Sequence, residues 1–317
     1  MPIKAGKEAF ITVGLGEFLW DLLPSGKQAG GAPANFAYIS NLLGDHGIVA
    51  SRVGADALGL ELEEKLRSLG LDTTFLQRDS DHATGTVQVE SGENRQPEYS
   101  ITENVAWDYL EWTPTWRALA EKADAVCFGS LAQRSRKSLE TVGQFLRAVR
   151  GDAVRIFDVN LRQQFYCAEV VESSMRVADI VKMNHEEVPQ VMQLLNAPEG
   201  DKRQGDEMEA AEWLRKKFGT KLICITKGPN GSILVDQSGC DSHPGFAAQI
   251  GDTVGAGDAF TAALVHHYLR GSNLKTINGA ANRVGAWVAS HVGAMPPADA
   301  ELLQWARDAK DGYDSAL

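Results

Sequence analysis

Apolar residues fall into short runs at Phe10 to Leu15, Ile48 to Val53, Asp124 to Phe128, Val154 to Val159, Asp179 to Met183 and Lys221 to Thr226. Runs of this length, rich in β-branched residues, predict buried strands. Longer stretches with helical spacing predict helices over Pro33 to Leu43, Leu58 to Leu69, Ser135 to Val149, Met208 to Phe218, Asp258 to Leu269 and Leu274 to Ser290. Strand and helix in alternation predict an α/β fold with a parallel sheet covered by helices. One segment departs from this pattern. Gly85 to Val89 and Glu98 to Ile101 each alternate apolar and polar residues around a polar turn at Ser91 to Gln96, which predicts a hairpin. With Glu17 to Gly30 it would form a small β layer outside the main sheet. Such a layer suits a lid over a substrate or an oligomer interface.

Composition narrows the function. At 317 residues the chain accommodates one large domain with a modest insertion, or two ordinary ones. A net charge of −11 without a basic block argues against nucleic-acid or anionic-membrane partners. No apolar run approaches the roughly 20 residues of a membrane span, and Met1 to Phe10 lacks a signal-peptide core, so a cytoplasmic protein is expected. Cys127, Cys167, Cys224 and Cys240 stand far apart in no metal-binding spacing and are expected to be buried free thiols.

The strongest chemical signal is Gly251 to Asp258, leading directly into the apolar stretch Ala259 to Leu269. The small residues Gly255, Ala256 and Gly257 let successive N–H groups face an anion, and the following helix adds its positive end. Asp258 would repel a phosphate, yet it suits a general base that takes a proton from an attacking hydroxyl. Alone, the run also reads as a glycine-rich turn with Asp258 complementing the helix dipole. Further polar residues follow other strands, where ligands of open α/β sheets gather. Arg162 suits a transferring phosphoryl group or a surface ion pair. Asn184 and Glu187, three apart, suit a hydrated Mg²⁺ or a helix cap. Thr226 and Gly228, with Gly231 in the same turn, suit nucleotide approach or a plain strand-to-turn transition. Near the N-terminus, Gly30 and Gly31 precede a helix that opens on Asn35, which with Asp21 suits sugar hydroxyls; capping and turn formation are equally open. Trp107, Trp112 and Trp116 suit packing better than a stacking platform, although Trp107 follows the lid segment and joins the substrate-side candidates. Asp56 reads as a helix cap, and the adjacent His266 and His267 read as structural.

Gly30-Gly31-Ala32-Pro33-Ala34-Asn35 and Asp252-Thr253-Val254-Gly255-Ala256-Gly257-Asp258-Ala259-Phe260 resemble the two signature regions of the ribokinase-like (PfkB) carbohydrate kinases. The likeness runs from Gly14 to about Pro297 and includes the Asn-x-x-Glu element at Asn184 to Glu187. Gly16-Glu17-Phe18-Leu19-Trp20-Asp21 and Asp158-Val159-Asn160-Leu161-Arg162 are most similar to fructokinases, with Val159 in place of the usual proline.

The resemblance implies one kinase domain over residues 1–317, a three-layer sandwich with a mostly parallel sheet, and a β lid from segments 17–32 and 84–105. It implies Asp258 as base, Gly255 to Gly257 as anion hole, Arg162 on phosphate, and Asp21, Gly31 and Asn35 on the sugar. ATP and Mg²⁺ follow, with Asn184 and Glu187 ordering magnesium through water and Thr226, Gly228 and Asn282 on the nucleotide. K⁺ is a further cofactor, for which Asp252 and Val254 match one half of the loop and His291 and Gly293 the other. The expected reaction is 6-phosphorylation of D-fructose, with ribose, 2-keto-3-deoxygluconate or another sugar as the alternative acceptor and a homodimer formed through the lid. A silent sugar sensor is the different-class alternative. A dinucleotide oxidoreductase using Gly14-Leu15-Gly16 fails, because Leu19 stands where its fingerprint needs a third small residue.

Overall fold

A computed structural model describes residues 7–300 apart from 25, 92–96 and 198–206, together with Leu302 and Trp305. Its strands are β1 (Ile11–Leu15), β2 (Leu19–Leu23), β3 (Gly26–Gly30), β4 (His46–Gly54), β5 (Leu76–Asp79), β6 (Gly85–Ser91) and β7 (Pro97–Ile101). They continue with β8 (Ala125–Gly129), β9 (Val154–Asp158), β10 (Ile180–Asn184), β11 (Leu222–Thr226), β12 (Ser232–Asp236) and β13 (Gly239–His243). The helices are α1 (Ala32–Leu42), α2 (Ala57–Ser68), α3 (Pro114–Ala120), α4 (Arg136–Ala148) and α5 (Ala168–Val177). They continue with α6 (Glu187–Leu194), α7 (Glu207–Phe218), α8 (Ala256–Leu269) and α9 (Leu274–Ala289).

Nine strands form the main sheet in the order β13-β12-β11-β10-β9-β8-β1-β4-β5. Pairing is parallel from β5 across to β11 and antiparallel for β12 and β13. Side chains of successive strand residues point to opposite faces, and that period of two divides the core. Val126, Phe128, Phe157, Val181 and Met183 pack on one face with Trp116, Phe145, Val171, Val191 and Leu214 of α3 to α7. Ala125, Cys127, Ile156, Ile180 and Cys224 pack on the other with residues of α1, α2, α8 and α9. Helix α8 is buried on almost every side, consistent with its nearly uninterrupted apolar sequence.

The predicted small layer is present as a second, four-stranded sheet ordered β3-β2-β6-β7. The indole N–H of Trp20 on β2 donates to the carbonyl of Leu58 at 3.0 Å, and Lys27 on β3 pairs with Glu61, so the layer rests on α2. Most of the expected turn between β6 and β7, residues 92–96, lies outside the described residues, as do residues 1–6 of the N-terminal segment. Asp56 caps α2, accepting from Gly59 N at 2.8 Å, and His266 pairs with Asp45 in the core. Two thiols depart from expectation: Cys167, at the N-terminus of α5, and Cys240, on the edge strand β13, are exposed. Among the described residues, no helix is long and apolar enough to cross a membrane.

Candidate active site

From β1 the chain builds β4 and β5 on one side, then returns to lay β8 on the other. Such a reversal opens a crevice at the carboxyl ends of the central strands. Glu17 follows β1, Asp158 ends β9 and Asn184 ends β10, while α1 and α8 start at the same end. Asp258 and Asn35 meet there: Asn35 Nδ2 donates to Asp258 Oδ2 at 2.7 Å. The two expected signature regions therefore share one site.

Gly255 caps α8 with φ +78°, and a Cβ there would lie 2.4 Å from Cβ of Ala294. Only glycine fits both demands. Ala256 N turns back to Thr253 O at 3.3 Å, whereas the next N–H groups, of Gly257 and Asp258, belong to the first helical turn and lack partners within the helix. That is the geometry of an anion cradle.

Asp258 is half-buried in a crevice whose walls desolvate its carboxyl. Burial and then the charge of Asp158 raise its pKa to about 6, against the opposing effects of Lys182, the Asn35 hydrogen bond and Arg162. Glu17 is buried beside it and is raised to about 7, first by desolvation. Glu17 Oε2 and Asn35 Oδ1 are buried with no hydrogen-bond partner among the described residues. Asp21, on the lid, is raised to about 6 by burial. Its carboxylate lies against Gly30, where a Cβ would sit 2.3 Å from Oδ2. Gly31, at φ +112°, carries the chain past Glu17, whose carbonyl oxygen would be 2.5 Å from a Cβ.

Arg162 is exposed on the loop after β9, which holds Asn160 at φ +42° and Gln163 at φ +48°. Glu187 anchors that loop by accepting from Leu161 N at 2.7 Å. The same carboxylate accepts from Asn184 N at 2.8 Å, while Glu187 N donates to Asn184 Oδ1 at 2.9 Å. This reciprocal pair has the bond pattern of a capping box in the turn just ahead of α6, so both readings of Asn-x-x-Glu draw on the same atoms. Each oxygen keeps a lone pair, which fits contact with a hydrated Mg²⁺ through water. Among the described residues no group of three or more His, Cys, Asp or Glu side chains is arranged to hold a metal directly.

Asp252 Oδ1 accepts from Val254 N at 3.0 Å and Oδ2 from Gly293 N at 3.2 Å, which ties the two expected cation segments together. The carbonyls of Asp252, Val254, His291 and Gly293 receive no backbone hydrogen bond from the described residues. Free carbonyl oxygens suit K⁺. The His291 ring contributes differently, its Nδ1 lying 2.7 Å from the carbonyl of Trp287.

Of the remaining expected residues, Thr226 stands beside Asn184 in the sheet. Thr226 ends β11, and Gly228 follows with φ +56° and open space around it. Gly231 is demanded by packing, since a Cβ would meet His243 O at 1.8 Å. Asn282 is buried, with Nδ2 bonded to Ser232 Oγ at 2.7 Å and Asn278 O at 2.8 Å, and therefore braces β12 against α9. Trp107 is 0 % exposed, beneath the lid, with the Arg134 guanidinium 4.0 Å from its ring centroid. A ring enclosed in that way packs the core and presents no face to a sugar.

Sequence reasoning missed Lys182 and assigned no role to Glu17, Asp158 or Thr261. Lys182 Nζ lies 3.0 and 3.1 Å from the two Asp158 oxygens, and Thr261 Oγ1 donates to Asp158 Oδ2 at 3.0 Å. The signal was a single cation inside the apolar run Ile180-Val181-Lys182-Met183, where burial requires a partner.

The pfkB family carbohydrate kinase model matches residues 25–301. The chain is 33% identical over 288 residues to a sugar kinase of Pyrococcus horikoshii, PH1459, covering 88% of this chain and 86% of that one. The structure of that uncharacterized kinase in complex with ATP superposes with a TM-score of 0.78, covering 94% of this chain and 99% of the other. An Escherichia coli fructokinase is 30% identical over 302 residues, covering 89% and 94% of the two chains. A Vibrio cholerae O395 fructokinase with bound fructose, ADP and potassium has the same fold, with a TM-score of 0.77 at 23% identity over 93% and 97% of the chains. The chain belongs to the pfkB family of carbohydrate kinases.

Proposed function

We propose that this kinase transfers the γ-phosphoryl group of ATP to the 6-hydroxyl of D-fructose. The observation that carries the reading is the Asn35 to Asp258 hydrogen bond, 2.7 Å long, which joins the expected sugar side to the first turn of the anion cradle. The likeness to the Escherichia coli fructokinase supports fructose, as does Gly16-Glu17-Phe18-Leu19-Trp20-Asp21. Asn35 Oδ1, buried and unpartnered, supplies an acceptor for a sugar hydroxyl, and Asp21 reaches the same side from the lid.

In this mechanism Asn35 holds the Asp258 carboxylate toward the acceptor hydroxyl. Asp258 takes the hydroxyl proton as the new oxygen–phosphorus bond forms and the bond between the γ-phosphorus and the β,γ-bridging oxygen breaks, releasing ADP. The amides of the first turn of α8 receive the negative charge on the moving group, with Arg162 closing over it from the loop after β9. Magnesium, when bound, neutralises phosphate charge, with Asn184 and Glu187 contacting its water shell. The carbonyls of Asp252, Val254, His291 and Gly293 would hold K⁺ beside Gly255. The lid, bearing Asp21, excludes water from the acceptor.

A coupled-enzyme screen of ketoses, aldoses and sugar acids with Mg-ATP tests the acceptor. D-Fructose should give the highest kcat/KM, and the product should carry phosphate on its sixth carbon. Higher kcat/KM with ribose or 2-keto-3-deoxygluconate would replace fructose while leaving the kinase chemistry intact.

A further inference from the structure

Lys182 occupies a buried position that the mechanism above does not use. It lies on β10 between Val181 and Met183, its side chain 9 % exposed. Its ammonium contacts both oxygens of Asp158. It also lies 3.0 Å from the place a Cβ on Gly257 would take, against the cradle residue that directly precedes Asp258. Thr261, one turn along α8, donates its hydroxyl to Asp158 Oδ2 and lies 2.9 Å from Gly257 O. The cradle therefore rests on a buried ion pair between the end of β9 and the middle of β10.

We propose that Lys182 is a positioning residue for phosphoryl transfer: paired with Asp158, its ammonium braces Gly257 and sets the electric field at Asp258. The inference rests on the reading of Asp258 as the general base. Four charged groups share this small volume with Asp258: Glu17 after β1, Asp158 on β9, Arg162 on the following loop, and Lys182 on β10. The nearby Cys127 thiol on β8 is held neutral by burial, and Asn35 on α1 is uncharged. Among these, Lys182 is the buried cation. Burial alone would lower its pKa, but Asp158, Asp258 and Glu187 more than offset this and keep it charged. Glycine at 257 is part of the same device, since any side chain there would press on the ammonium.

The two halves of the pair should act on Asp258 with opposite signs. Lys182→Met removes a favourable charge, so the acid limb of kcat should move upward from about 6 by about one pH unit, with kcat falling ~10-fold on the acid side of the limb, only about twofold at pH 7, and the sugar KM changing less than ~3-fold. Asp158→Asn removes a repelling charge and should move the same limb downward. Lys182→Arg, which keeps the charge, should leave the limb near its original place. Each variant is assayed with Mg-ATP and the best acceptor of the screen, beside a thermal melt. The carboxyl ¹³C resonance of Asp258, identified by its loss in Asp258→Asn, is titrated in the free proteins. This resonance reads the field without any acceptor, so it separates failure of this inference from failure of the base assignment. Opposite displacements of the resonance midpoint in the two variants support the inference. Unmoved midpoints accompanied only by lower melting temperatures overturn it and leave the pair a structural one. Should Lys182→Met fail to fold, the direction of the Asp158→Asn displacement decides.

Discussion

Asn35 in the first turn of α1 and Asp258 in the first turn of α8 are 223 positions apart, yet the amide nitrogen of one lies 2.7 Å from a carboxylate oxygen of the other. The contact orients the carboxylate and favours its charged form. Replacing Asn35 by Ala removes a hydrogen bond to a charged acceptor, worth about 1.5–3 kcal/mol, which predicts kcat/KM lower by about 10- to 100-fold. Loss of that bond should also raise the Asp258 pKa. The acid limb of kcat/KM, expected near the Asp258 value of about 6, should therefore move upward in Asn35→Ala. A pH–rate series on the two proteins checks both effects.

Glu17 gives stability a pH dependence of known sign. Its carboxyl moves from 4.5 to about 7 on folding, first because of burial, so the folded state binds the proton more tightly. Stability then falls as pH rises through that window and levels off above it. Asp21 and Asp258, each raised from 3.8 to about 6, act in the same direction over a lower range. Glu17→Gln should flatten the decline of Tm between about pH 5 and about pH 7.5 without abolishing it. Thermal melts across that range measure it.

Gly255 should tolerate no side chain. Alanine at φ +78° costs about 1–2 kcal/mol in backbone conformation alone. Its methyl group would also press on Ala294, whose Cα lies 2.7 Å from the added atom. Gly255→Ala should lower Tm by at least about 2–4 °C. It should lower kcat more than the sugar KM, because the cradle is displaced rather than the sugar side. Calorimetry and steady-state kinetics on the one variant test both parts.

Glu187 joins two loops through backbone N–H groups of Leu161 and Asn184. Glu187→Ala should release the Arg162 loop, where Asn160 and Gln163 already hold left-handed backbone conformations. The expected result is a higher KM for Mg-ATP together with faster proteolysis within residues 158–165. Limited digestion followed by mass spectrometry reads the second effect directly.

Most of this was legible in the chain. Apolar runs marked the parallel strands because both their faces are buried, and that produces continuous hydrophobicity. The edge strands β13 and β5 and the antiparallel β12 escaped notice: β13 reads Gly-Cys-Asp-Ser-His, and its pairing with β12 supplies what its sequence lacks. Helices α3 and α5 were also missed and only the entrance of α6 was read, because these helices are short and their apolar stripe is interrupted by charged or polar residues. The glycine motifs pointed to the site because they meet steric demands that hold in any fold. Trp107 did not, since an aromatic residue after a lid segment looks the same whether it faces a ligand or the core. The roles of Lys182 and Glu17 depend on neighbours from distant strands, which no local pattern encodes.

The central claim is that Asp258 removes the acceptor proton beside the amide cradle. Asp258→Asn keeps the size of the side chain and removes the base. Steady-state turnover of D-fructose with Mg-ATP should fall by at least ~10²-fold in this variant, with a native thermal melt. Turnover equal to that of the unmodified protein would contradict the account.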